Sequence, residues 1–423
     1  MRRVVVLTLA AVFGLVVGGL SMLALQSPAA NLPDPAQRPL VPSQTTVGPR
    51  PSPTAAPTAP SSSDTPLAPP SDAPTLLLAW TRGGLPDGFA GDVAGLPGVE
   101  QVTTVAGDVI DLVGSRRADG APVDDLTDGW RIPLDVVAVD PPAYADLLPK
   151  VDRARLAGLR GGEALLGATS ARLRGLGPGD VLTVADGHDL IVRGVVDDTL
   201  VGAAEAVVAR DGAGRLGVDT DRFVLLTHRG DRAGLEQAIR ELTDRGLRVR
   251  APGESPYLRH GDAVLPQALV KAEFGEFAYR PVGDGLAIEQ DPAWVADNLA
   301  TVEVPVLGRV TCHRSILEPL AAALGDLEAQ GLAHLVDPDQ YAGCHAARMI
   351  APDAGLSRHA WGVAVDLNAD DNPHGARSRQ DRRLVETLAD HGFTYGGFWL
   401  VPDAMHFEYV GNPAGSPAKV VAP

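Results

Sequence analysis

Between Val4 and Leu25 the chain runs for 22 residues without a charge (VVVLTLAAVFGLVVGGLSMLAL), preceded by Arg2 and Arg3 and followed by no charge before Asp34. About 20 consecutive apolar residues cross a bilayer, and arginines on the leading side alone orient such a span with its N-terminus inside. Residues 1–30 therefore read as a cytoplasmic tip and a transmembrane signal anchor. The other reading is a cleaved secretory signal with a small-residue site near Ser27–Ala30. Both expectations put everything that follows outside the cytoplasm, on the cell membrane or secreted from it. No Cys directly follows the run, so a lipid-attached cysteine is excluded.

Residues 31–74 hold 13 of the 36 prolines and little that is large and apolar. Such a stretch cannot offset its ordering entropy and reads as a disordered linker. At about 3 Å per residue it reaches roughly 100 Å from the membrane. Folded structure is expected after it, in two or three domains, and the 45% hydrophobic content is enough for a core. With 36 Lys+Arg against 53 Asp+Glu the net charge is −17, which excludes a general nucleic-acid binder.

Residues 75–252 are expected to form a separate α/β or α+β domain. Thr75–Trp80, Leu134–Val139, Leu190–Val196 and Phe223–Thr227 read as strands, as does VLTV after the turn Gly177–Gly179, and Arg232–Arg245 reads as a helix. No catalytic grouping occurs here. The pattern VDPPAYADLLP…GGEALLGATSARLRGLGPGDVLTV…VRGVVDD resembles the extracytoplasmic core domain of MacB-type transporter permeases. That resemblance implies a structural module or one with a protein partner; an inert spacer is the alternative. Residues 253–280 read as a connector, helical around Pro266–Phe274, residues 281–411 as the last domain, and 412–423 as a tail. The last domain carries 8 Arg against 19 Asp+Glu, and a bound cation is one reason to keep so much acid near a site.

Two short segments of that domain carry chemistry. In SRHAWGVAVDLN (Ser357–Asn368), Val363, Val365 and Leu367 alternate with Ala364 and Asp366. A strand there buries one face and projects Asp366 from the other, with His359 just ahead of it and Gly362 and Ala364 leaving open space beside the carboxylate. In PDAMHFEYV (Pro402–Val410), Asp403 precedes His406 by three, and His406 alternates with Phe407 on a second strand. Two His and one Asp are the ligands of a zinc site with a fourth position open. A carboxylate just before the last ligand is placed to take a proton from water.

Together these segments resemble the VanY-like zinc D-Ala-D-Ala carboxypeptidase and L-alanyl-D-glutamate peptidase family, whose motif is Ser-x-His-x-x-Gly-x-Ala-x-Asp followed by acid-x-x-His. The resemblance covers about 290–411 and implies an α+β, hedgehog-like fold. It also implies a Zn2+ cofactor held by His359, Asp366 and His406, with Asp403 as general base. Arg348 would bind substrate or stabilise the oxyanion, and Ser357 would contact substrate. Many carboxypeptidase members carry Glu where this chain has Asp403; Asp is similar to the branch that cuts L-Ala-D-Glu bonds. The reaction implied is zinc-assisted hydrolysis of peptidoglycan stem peptides. A catalytically silent wall-binding or partner-binding module using the same cleft is the alternative, as is a receptor role for residues 75–252.

Cys312 and Cys344 are the only cysteines, and in an oxidising compartment they are expected to pair; a metal site with His313 and His345 is the other option. His374 and His391 read as loop and helix-end residues, Arg377, Arg379, Arg382 and Arg383 as the start of a solvated helix, and Phe398 and Trp399 as cleft wall or core. Helices are expected over Ile316–Gln330 and Gln380–His391, packed behind a small antiparallel sheet that carries the zinc residues.

Overall fold

The computed structural model describes residues 75–283, 285–351 and 355–411. The apolar run, the Pro-rich stretch and the tail lie outside the described residues. Among those described, no helix is long and apolar enough to cross a membrane.

Ten strands between residues 75 and 250 share one sheet: β1 (Thr75–Thr81), β2 (Val99–Arg116), β3 (Pro122–Asp125), β4 (Ile132–Val139), β5 (Glu163–Gly167), β6 (Val181–Val184), β7 (Asp189–Val196), β8 (Ala206–Ala209), β9 (Asp221–His228) and β10 (Leu247–Arg250). The four apolar runs read as strands fall in β1, β4, β7 and β9. β4 is buried along its whole length, which explains its unbroken apolar character. Strand order is β10-β1-β9-β2-β4-β8-β5-β7-β6, and β6 pairs back onto β2, so six strands close into a ring. Leu112, Leu134, Val136, Leu166, Leu182 and Val208 fill its interior. A bulge between Leu112 and Gly114 bends the 18-residue β2 so that it serves both β4 and β6. Only β4–β8 and β5–β7 run parallel, so the architecture is mixed α+β.

The remaining strands form three small antiparallel sheets. β11 (Tyr279–Pro281) pairs with β12 (Ile288–Gln290), β13 (Leu299–Val304) with β14 (Gly308–His313), and β15 (Ala364–Asp366), β16 (Phe393–Tyr395) and β17 (His406–Tyr409) form a sheet of order β15-β17-β16. Helix Arg314–Ala329 buries Ile316, Leu320, Leu324 and Leu327, a stripe at helical spacing. Helix Arg382–Asp390 buries Leu384 and Leu388. Both pack into one core with Val363, Val365, Leu367 and Phe407, the inward faces of β15 and β17 and their flanks.

Cys312 and Cys344 form a disulfide, with Cα atoms 5.4 Å apart. Closing that loop is worth about 3–4 kcal/mol in the chain-entropy account. The Cys/His metal option falls with it. The His313 ring caps the helix at Ser315 and reaches the Phe274 carbonyl, and His345 bonds Gln290.

Helix Gln267–Phe274 joins the large sheet to the C-terminal part through a buried ionic group. Lys271 Nζ lies 2.9 Å from Glu205 and 2.8 Å from Glu276, and Arg174 lies 3.1 Å from Glu205. Burial opposes charge on Glu205, but Lys271 and Arg174 outweigh it and hold its carboxyl at about 2. Paired this way, buried charges are tolerated.

Candidate active site

The register of β15 against β17 sets Asp366 directly opposite His406, and Asp366 Oδ1 lies 3.1 Å from His406 Nδ1. His359 arrives from a separate element, the 3-10 turn Arg358–Trp361. Ser357 caps that turn by accepting the His359 N–H at 3.3 Å. The turn ends on Gly362 at φ +66°, where a Cβ would stand 2.8 Å from the His313 nitrogen and 3.0 Å from Leu299. The missing side chain thus serves close packing and a left-handed backbone. It does not open space beside Asp366, as the sequence suggested.

His359 Nε2 lies 3.2 Å from Asp366 Oδ2 and 3.2 Å from His406 Nδ1. On its other side, His359 Nδ1 donates to the Cys344 carbonyl at 2.7 Å, which fixes the tautomer and leaves Nε2 a bare acceptor. One ligand atom from each of His359, Asp366 and His406 lies within 4.8 Å of the others. Three acceptors facing one another require a cation or a proton between them. This donor set, two imidazoles and a carboxylate at the head of a cleft, suits zinc.

Without a metal, the proton takes that place. Burial works against a charged His406, but the hydrogen bond to Asp366 and the nearby Glu408 carboxylate overcome it and raise the ring to about 9. Burial likewise opposes ionisation of Asp366, yet the His359 and His406 rings beside it hold its carboxyl far below the usual range. A raised folded-state pKa adds stability that is complete below about 6.5, the free imidazole value, and is lost as pH climbs through about 9. The metal-free protein is therefore expected to lose on the order of 2–3 kcal/mol between pH 6.5 and 9.5 through this group. Urea unfolding of wild type and His406→Gln across that range checks it, since the variant should lack this component of the slope.

Glu408 escaped the sequence reading. It is 1% exposed, ion-paired to Arg358 at 3.1 Å, and its Oε2 lies 3.9 Å from His406 Nε2. That separation is electrostatic contact and not a hydrogen bond. The period of two in HFEY places Glu408 on the His406 face; its burial has no local signal.

Asp403 follows the 3-10 turn Gly396–Phe398 and is held by its backbone, donating to the Gly396 carbonyl at 3.0 Å and accepting the His406 N–H at 3.1 Å. Its Oδ1 is buried without a hydrogen-bond partner. Asp403, Arg348, Ser357, His359, Asp366 and His406 all line one cleft of about 740 Å3. Trp399 walls it, its ring 5.1 Å from that of His406, and His374 lines it as well. His391 stands apart, paired with Asp326 at 2.9 Å, as do Arg382 with Glu386 and Arg383 with Asp381.

Residues 351–409 match a family model described as D-alanyl-D-alanine carboxypeptidase. The matched segment contains His359, Asp366, Asp403 and His406, and excludes Arg348 and both cysteines. No curated protein matches the chain. Among solved structures it is similar to the periplasmic region of MacB from Actinobacillus actinomycetemcomitans, at 10% identity over 42% of this chain and 88% of that one, with TM-score 0.29. It is also similar to the extracellular domain of the noncanonic ABC-type transporter YknZ from Gram-positive bacteria, at 12% identity over 41% and 99%, with TM-score 0.27. A MacB-type likeness was expected from the sequence.

Proposed function

We propose that this chain is a zinc peptidase, anchored by residues 4–25 on the outer face of the cell membrane, that hydrolyses peptide bonds in peptidoglycan stem peptides. The observation that carries this reading is the convergence of His359 Nε2, Asp366 and His406 Nδ1 in the same cleft as Asp403, whose Oδ1 is buried without a hydrogen-bond partner. The carboxypeptidase family match over these residues supports it.

His359, Asp366 and His406 would hold the ion; when bound, it polarises a carbonyl and acidifies water. Asp403 takes the proton from the attacking water and returns it to the leaving amine. The Arg348 guanidinium neutralises charge that develops on the carbonyl oxygen or binds a substrate carboxylate. The Cys344 carbonyl keeps the His359 ring in its productive tautomer, and the disulfide holds that carbonyl in place.

The purified full-length chain, loaded with zinc, is expected to cleave Ala-γ-D-Glu-Lys-D-Ala-D-Ala. Mass spectrometry of the products identifies the bond, and a chelator should abolish the reaction. A zinc-loaded chain that leaves this peptide and intact muropeptides uncut would contradict the assignment.

A further inference from the structure

The cleft has a second wall that belongs to no peptidase motif. Trp80 and Arg82, from the end of β1 and just beyond it, Asp108 on β2, Asp135 on β4 and Arg222 on β9 line the same 740 Å3 space as His359 and His406. The large sheet therefore contributes part of the cleft lining.

That wall is fixed in position. Arg248 on β10 donates to the Phe398 carbonyl, and Asp262 accepts the Leu400 N–H at 2.8 Å. Leu400 packs into the core of the sheet. These residues immediately precede Asp403, so the loop carrying that carboxyl is bolted to the sheet. On the other rim, Gly355 sits against Val109, where an added Cβ would come within 3.1 Å.

Charge in the cleft is largely cancelled within its walls. Asp108 pairs with Arg222 at 2.9 Å, Asp135 with Arg259 at 3.1 Å, Asp262 with Arg248 at 2.6 Å, and Glu408 with Arg358 at 3.1 Å. His260 is neutral, held down at about 3 by burial and by the neighbouring arginines. Of the arginines that line the cleft, two have no ion-pair partner among the described residues: Arg348 and the exposed Arg82. In a chain of net charge −17, two unpaired guanidinium groups lining one cleft select for anionic ligands.

We propose that the ten-stranded sheet is a substrate-selecting wall and that Arg82 binds the D-Glu α-carboxylate of the peptide, so that acidic peptides are preferred over their amidated forms. This assignment rests on the peptidase reading for the identity of the ligand as a peptide, but its test reads binding and not turnover. The zinc-loaded full chain carrying Asp403→Asn, which holds peptide without cutting it, is titrated calorimetrically with Ala-γ-D-Glu-Lys-D-Ala-D-Ala and with the same peptide whose Glu α-carboxylate alone is amidated. The acidic peptide should bind at least about tenfold tighter. Arg82→Gln should bring the two affinities together, and Arg82→Lys should restore part of the difference. A preference that persists in Arg82→Gln, affinities that are equal from the start, or no binding of either peptide overturns the proposal. Carboxylate-dependent binding through Arg82 with no hydrolysis by the Asp403 enzyme would overturn the peptidase reading and leave the anionic subsite standing.

Discussion

Asp403→Ala is expected to keep its zinc and lose hydrolysis by a factor of about 10²–10⁴, the range a positioned general base contributes. The reasoning is geometric. Asp403 is not one of the three groups whose donor atoms converge, so its removal leaves the metal ligands intact. Its backbone contacts to Gly396 and His406 do not depend on the side chain, so the loop keeps its path. The buried Oδ1 has no structural partner to lose, which makes a mainly structural role for the carboxylate hard to sustain. Metal content by elemental analysis and initial rates on a defined stem peptide check both halves. Asp403→Glu, which supplies the acid found in many carboxypeptidases of similar motif, should recover part of the rate. An Asp403→Ala enzyme as active as wild type would remove the base from this residue.

Asp366→Asn is expected to have the opposite signature. It should weaken zinc binding by well over about 100-fold, beyond what loss of an outer-sphere partner costs, and activity should fall with it. Asp366 contacts both imidazoles, at 3.2 Å to His359 and 3.1 Å to His406, and it is the source of negative charge in the group. The amide keeps the shape but not the charge. Without the carboxylate, the proton on His406 also loses its main support, so the ring should titrate closer to 6.5. Competitive zinc titration and imidazole NMR of the metal-free variant report the two effects separately. Wild-type zinc affinity in this variant would show that the metal lies elsewhere.

Much of this site was legible as residue types at spacings. The alternation in Val363–Leu367 and in His406–Tyr409 announced two strands with apolar faces inward, and Val363, Val365, Leu367 and Phe407 are buried as that pattern requires. Helices were expected at 316–330 and 380–391 and occur at Arg314–Ala329 and Arg382–Asp390. β2 was missed because its two glycines and two aspartates break the alternation, and because one strand serves β9, β4, β3 and β6 in turn. Gly362 was assigned the wrong reason, since the atoms that crowd it, on His313 and Leu299, come from elsewhere in the chain.

Local chemistry in the chain was enough to specify the two histidines, the aspartate and the acid ahead of the last histidine, because donor type and strand periodicity are properties of a few adjacent residues. Folding alone settled which ring nitrogen of His359 is free, since that follows from a carbonyl 15 residues away. It likewise settled the burial of Glu408 beside His406, and the large sheet's share in lining the cleft. Those features arise from pairing register and interface packing between distant segments, and such contacts leave no periodic trace in either partner.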